Sequence, residues 1–144
     1  IEYNCRFGDP ETQVVLPLLE GDLLEIMLAV TEERLADIEV RFSGRAAACV
    51  VLASGGYPQA YEKGRRIALP EITDPDVSLY HAGTALRDGA YFTNGGRVLG
   101  VTAAADTLEA ALQKAYETAG RVRFEGAFMR RDIGARALAA LRLK

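Results

Sequence analysis

The stretch RVLGVTAAADTLEAALQKAYETAG, residues 97–120, changes its hydrophobic period half-way, and that change decides the fold class. Residues 97–103 form an apolar run of strand length. Asp106 and Glu109 then stand in D-x-x-E order, which predicts a capping box with aspartate as the cap. Beyond them Leu108, Ala111, Leu112, Ala115, Ala119 and Val122 recur at helical spacing and make one apolar stripe. A strand that feeds directly into an amphipathic helix is therefore the central unit.

Upstream, strand and turn signals dominate. Asn94-Gly95-Gly96 marks a turn, and Asp88-Gly89 is a two-residue hairpin signal between TALR and AYFT. Residues 77–83 (VSLYHAG) predict another strand, and 46–53 (AAACVVLA) a fully buried one. The latter ends in Ser54-Gly55-Gly56-Tyr57-Pro58, whose paired glycines permit positive φ or close approach of another group. The segment 36–46 (ADIEVRFSGRA) leads from helix to strand. Ahead of it Leu19, Leu23, Met27 and Val30 follow a helical period that Pro17 and Gly21 interrupt, so two helical pieces are expected, near 10–19 and 21–34. Asp9-Pro10-Glu11 reads as the first helix start, with Asp9 as cap. Downstream, Glu125-Gly126 breaks the chain before a short strand-like stretch and a last helix starting near Asp132, anchored by Ile133, Leu138 and Leu141. The class is α+β: helices at both ends around a mostly antiparallel, β-rich middle.

The bulk numbers narrow the function classes. A chain of 144 residues, 49% hydrophobic and 26% charged, supports one good core or one domain plus part of another. Net charge is −3 and the 17 basic residues are dispersed, so nucleic acid is not an expected partner. No apolar run is long enough to span a bilayer, so no membrane partner is expected. Cys5 and Cys49 have no metal-site spacing and sit in apolar strand-like contexts, where reduced, buried thiols point to the cytoplasm. His81 is the only histidine, which excludes a His-rich metal site.

Several residues invite chemistry. Neither a P-loop nor a dinucleotide fingerprint is present, and the glycine turns need no ligand as hairpins. His81, without an adjacent carboxylate or nucleophile, reads as a hydrogen-bonded structural histidine. Arg130-Arg131-Asp132 reads as an ion pair of Arg131 with Asp132 or another acid, or as a phosphate contact. Glu2 and Asn4 would share one face of a strand, where they form either a pair of hard-cation ligands or an ordinary solvent-facing pair. Arg6-Phe7-Gly8-Asp9-Pro10-Glu11 places an anion donor, a flexible glycine and two carboxylates around a helix N-terminus, a combination suited to a charged substrate.

Residues 2–13, Glu2-Tyr3-Asn4-Cys5-Arg6-Phe7-Gly8-Asp9-Pro10-Glu11-Thr12-Gln13, closely resemble the signature segment of the phosphoribosylamine–glycine ligases, ATP-grasp enzymes of de novo purine synthesis. Ala53-Ser54-Gly55-Gly56-Tyr57-Pro58 with Tyr61-Glu62-Lys63-Gly64 is similar to the start of that family's C-terminal domain. His81-Ala82-Gly83-Thr84, the run from Thr93 to Thr102 (TNGGRVLGVT), and Arg130-Arg131-Asp132-Ile133-Gly134 follow in the family's order. Ala127-Phe128-Met129 departs from it, where the family often carries a more polar pair.

The resemblance implies a division into residues 1–40, the last strand and helices of an ATP-grasp lobe, and 41–144, a small C-terminal domain with a curved antiparallel sheet and packed helices. It implies that Glu2 and Asn4 help hold magnesium (or manganese) against the phosphates of ATP, the co-substrate. It implies that Arg6, Gly8, Asp9 and Pro10 lie beside the substrates. Arg6 is then expected to contact a phosphate or carboxylate, and Asp9 to orient an amine or cap the helix. No residue of the chain is expected to act as a catalytic group. The substrates would be ATP, glycine and 5-phosphoribosylamine, and the ATP-gripping lysines are expected ahead of Ile1, so the chain alone is expected to be inactive. Apolar faces of the 10–34 helices would favour self-association. Two other readings stay open: a non-catalytic binding or scaffold module of the same fold, and another ATP-grasp carboxylate–amine ligase or carboxylase, which the Arg-Phe-Gly-Asp-Pro-Glu run disfavours.

Overall fold

A computed structural model of the chain describes residues 6–142. Its centre is the strand of the quoted stretch. Strand β1 (Leu19–Glu20) pairs with β2 (Arg41–Phe42) in a small antiparallel ribbon. The main sheet has β3 (Ala46–Ala53) on one edge, and β4 (Arg66–Ile67) follows it in the chain as part of a second sheet. β5 (Val77–His81) forms the other edge of the main sheet, while β6 (Thr84–Arg87) and β7 (Ala90–Thr93) complete the second. β8 (Arg97–Ala105) lies between β3 and β5 and pairs antiparallel with both. Every residue of β8 after Arg97 is buried. The second sheet is also antiparallel, in the order β4-β7-β6.

The helices are α1 (Thr12–Val15), α2 (Leu23–Thr31), α3 (Leu108–Ala119) and α4 (Ala135–Leu141). α3 lies across β3 and β8. The approach is close because the facing positions are small: Ala48, Ala103 and Ala105 on the strands meet Ala111, Ala115 and Ala119 on the helix, all buried. Val50, Leu52, Val98, Leu99 and Val101 fill the centre of the core, joined by Val122 and Phe124 from beyond α3. The mixture of helix and antiparallel sheet is the expected one.

Local details depart from the sequence reading for identifiable reasons. Thr107, not Asp106, caps α3: its hydroxyl accepts the N–H of Ala110 at 3.2 Å, while Asp106 turns toward Arg45. Two adjacent residues can both cap, and the one whose side chain reaches the third amide does so. β3 is only half-buried at alternate positions, since β8 is its sole strand partner among the described residues. The expected helix over 10–19 shrinks to α1 and a 3-10 turn at Leu16–Leu18, where Pro17 lacks the amide a longer helix needs. Asp9 does not cap it, for Glu11 occupies that position without a side-chain hydrogen bond. The piece expected over 21–34 is α2, capped by Asp22 through the amides of Leu24 and Glu25. It ends before Glu33, which takes a φ of 57°. The last helix begins at Ala135, after Gly134 at φ 79°, rather than near Asp132. Asp88 and Gly89 take φ of 48° and 75°, as a type I′ hairpin requires. The strand expected to carry Glu2 and Asn4 lies outside the described residues.

One ion network ties these elements together. Arg45, just before β3, donates to both carboxylate oxygens of Asp76 at 2.7 and 2.8 Å. Lys114 of α3 reaches Asp74 at 2.9 Å and Asp76 at 3.2 Å. The hydrogen bond from Arg45, reinforced by Lys114, holds the Asp76 carboxyl far below the usual range, and Lys114 lowers Asp74 likewise. A carboxylate whose folded pKa is depressed adds stability above its unfolded value, about 4, and loses it as pH falls through the folded value. Thermal melts of the wild type are therefore expected to drop steeply below about pH 4, and Asp76→Asn to flatten that drop while lowering Tm at pH 7. Thr107→Ala is expected to cost about 1 kcal/mol in denaturant titrations.

Candidate functional site

Four of the sequence motifs, far apart in the chain, meet at the start of β8. The turn Asn94-Gly95-Gly96 packs against Gly83: a Cβ on Gly83 would fall 2.5 Å from the Cα of Gly95 and 2.6 Å from the carbonyl oxygen of Arg97. The amide of Gly83 donates to that oxygen at 2.8 Å, and the amide of Asn94 donates to the carbonyl of Gly83 at 2.7 Å. These glycines are required for close approach of two backbones, not for a ligand. Ser54 closes the third side, its hydroxyl donating to Gly95 O at 2.9 Å and its amide to Gly96 O at 2.8 Å. The ring of Tyr57 covers Gly96, where a Cβ would collide with it. Thr93 fixes the next loop by accepting the amide of Arg65 at 3.0 Å.

The fourth motif docks through Arg97. Its guanidinium donates to Asp9 Oδ2 at 2.9 Å and to Asp9 O at 3.1 Å. Asp9 Oδ1 accepts from Gln13 Nε2 at 2.8 Å. Both carboxylate oxygens of Asp9 are thus engaged. Arg6 and Gly8 line a cleft of 220 Å³ with Glu11 and Thr12. No carboxylate among the described residues pairs with Arg6, which donates only to the carbonyl of Phe7 at 3.1 Å. Gly8 O accepts from both the amide and the hydroxyl of Thr12, which closes the turn. Pro10 faces away from Arg6, into an apolar groove of 370 Å³ with Cys49, Leu112 and Gly134. The structure therefore places Arg6 and Gly8 on one cleft, ties Asp9 to Arg97 and Gln13, and puts Pro10 on the apolar groove. Glu2 and Asn4 lie outside the described residues.

The remaining reactive groups have structural partners. His81 Nδ1 lies 3.0 Å from Thr84 Oγ1, and its ring packs 4.4 Å from that of Tyr91. Burial pushes the Cys49 thiol up, so it is not a thiolate at neutral pH. Arg130, rather than the expected Arg131, holds Asp132, with two hydrogen bonds of 2.9 and 2.7 Å. Arg131 instead lines a cleft of 240 Å³ with Arg123, Leu52 and Phe128. Among the described residues no three of His, Cys, Asp and Glu are grouped as a metal site. Sequence reasoning quoted Arg97 only as part of a motif and missed its contact. Its one local signal is a charged residue directly after a glycine pair, at the mouth of a buried strand.

Comparison with known proteins places this arrangement among relatives. The family described as "Phosphoribosylglycinamide synthetase, C domain" matches residues 47–136. A phosphoribosylamine–glycine ligase of Vibrio vulnificus is 49% identical over 140 residues, covering 96% of this chain and 33% of its own. The trifunctional purine biosynthetic protein adenosine-3 of Gallus gallus is 48% identical over 143 residues, covering 98% of this chain and 14% of its own. A crystal structure of a phosphoribosylamine–glycine ligase from Thermotoga maritima superposes with a TM-score of 0.73 at 43% identity, over 92% of this chain and 32% of that one. The chain spans about a third of the length of the single-function relatives it matches.

The glycine contacts give a direct check. Gly83→Ala is expected to destabilise by about 1–3 kcal/mol, because backbone lies on two sides of the new methyl. Gly44→Ala, with nothing within 4 Å, is expected to stay within about 0.5 kcal/mol of wild type in the same urea titration.

Proposed function

The chain belongs to the phosphoribosylglycinamide synthetase C-domain family, and from that membership we propose that it is the C-terminal part of a purine-pathway ligase that joins glycine to 5-phosphoribosylamine. The observation that carries the reading is the near-complete coverage of this chain by ligases about half identical to it. In the proposed reaction the glycine carboxylate attacks the γ-phosphorus of ATP and ADP leaves. The amine of 5-phosphoribosylamine then attacks the acyl carbon of glycyl phosphate, phosphate departs, and loss of a proton leaves glycinamide ribonucleotide.

Within this scheme Arg6 contacts an anionic group, a carboxylate or phosphate, at the cleft it shares with Gly8. Asp9 acts through its hold on Arg97. Glu2 and Asn4 would hold magnesium or manganese, which offsets phosphate charge when bound. The partners are small molecules, with no role for nucleic acid or a membrane, and the compartment is the cytoplasm. No helix among the described residues is long and apolar enough to cross a membrane.

We assign residues 1–40 to the end of an ATP-grasp lobe and 41–144 to the C-terminal domain. The assignment is supported by a family match that starts at residue 47, while the β1–β2 ribbon bridges the boundary by pairing Leu19 and Glu20 with Phe42 and Arg41. α2 exposes Leu24 (62%), Met27, Leu28 and Val30 (55%) while burying Ala29. An apolar surface of this size belongs against other protein, so it is covered by the rest of the lobe in a longer protein and favours self-association in the isolated chain.

The test is ATP-dependent phosphate release with glycine and 5-phosphoribosylamine. The Vibrio vulnificus ligase with its matching third replaced by this chain is expected to turn over, and the 144-residue chain alone to be silent. Arg6→Met in that hybrid is expected to lower kcat/KM by about 10²-fold. Turnover by the chain alone, or a folded hybrid without turnover, would contradict the proposal.

A further inference from the structure

We infer that Arg97 is the positioning residue for the Arg6–Pro10 substrate segment, and that Asp9 serves as the anchor it grips. The inference rests on the ligase reading for its kinetic consequence, but its structural content stands on contacts alone.

Arg97 is the only residue of β8 that is not buried, and its guanidinium meets the N-terminal segment at Asp9, beside the contacts that α1 makes with β3. Its backbone cannot shift, because its carbonyl is held by the Gly83 amide inside a turn with no room for a side chain. Ser54 fixes the two glycines before it. A guanidinium mounted on such a base is an arm of defined reach. It grips Asp9 at two points, a carboxylate oxygen and the main-chain carbonyl. The carbonyl contact orients the backbone, which a side-chain pair alone would not do. The other carboxylate oxygen fixes Gln13, one turn along, so the clamp extends into α1.

Three consequences follow for the segment. Each carboxylate oxygen of Asp9 already accepts one hydrogen bond, from Arg97 and from Gln13. Arg6, three residues before it, is left to meet the anion. Gly8 closes onto Thr12, so the distance from the clamp to Arg6 is short and has few soft torsions. An arginine suits the clamp because its planar fork can donate to two acceptors at once, whereas a lysine offers a single point charge.

The experiment has two arms. In amide hydrogen exchange on the chain itself, Arg97→Met is expected to speed exchange at Thr12 and Val15 by about tenfold or more, with the β8 amides unchanged. In the Vibrio vulnificus hybrid, Arg97→Met and Asp9→Asn are expected each to lower kcat/KM about tenfold through KM of the same substrate, with kcat within about twofold. The double variant is expected to be no worse than either single one, and Arg97→Lys to recover part of the loss. Arg41→Met, on the exposed β2 ribbon, is the neutral control. A merely structural role would lower the active fraction, seen as a fall in kcat at constant KM, and that result overturns the inference. So do additive losses, or exchange that accelerates in β8 and residues 12–15 alike. A wild-type hybrid without ligase activity would count against the proposed function, while the exchange arm would still decide whether Arg97 holds the segment.

Discussion

The burial of β8 on both edges and against α3 is the constraint on which the rest depends. A strand paired on two sides leaves no edge for solvent, so residues 98–105 are buried and, apart from Thr102, carry no polar side chain. Ala103 and Ala105 then set how near α3 can come, and the stripe on α3 answers with alanines of its own. The same burial fixes where β8 must begin. Arg97 emerges at the one end that reaches water, and the glycine turn that delivers it is pinned by Gly83 and Ser54. Core and site are therefore one construction: the rigidity of the first is what aims the second.

That construction explains which features could be read in advance. The strand-to-helix unit over 97–120 and the Asp88-Gly89 hairpin were legible because period and turn chemistry act between near neighbours. The choice of Thr107 over Asp106 as cap, and of Arg130 over Arg131 as the partner of Asp132, turned on one-residue differences in side-chain reach. β3 reads as uniformly apolar, yet it lies at a sheet edge and is buried only at alternate positions. Nothing in residues 46–53 themselves states how many strands will flank them.

The site was legible as a set of motifs and not as a place. Arg6, Gly8 and Asp9 stand out in the sequence, and the resemblance of their segment to a ligase signature gave them a chemical meaning. Their position is decided by Arg97, 88 residues away from the Asp9 it grips. A contact of that separation leaves no periodic trace, and it requires the whole sheet to form first. Pro10 illustrates the same point from the other side, since it shares the segment but faces the apolar groove beside Cys49.

A docked N-terminal segment and a rigid C-terminal sheet fit the proposal that this chain forms one wall of a ligase active site. The isotope fate of the glycine carboxylate tests that account most directly. With glycine labelled by ¹⁸O in its carboxylate, the Vibrio vulnificus ligase carrying this chain should release phosphate containing one ¹⁸O, the other staying in the amide of the product. Released phosphate free of label, with both ¹⁸O atoms still in glycine, would contradict it.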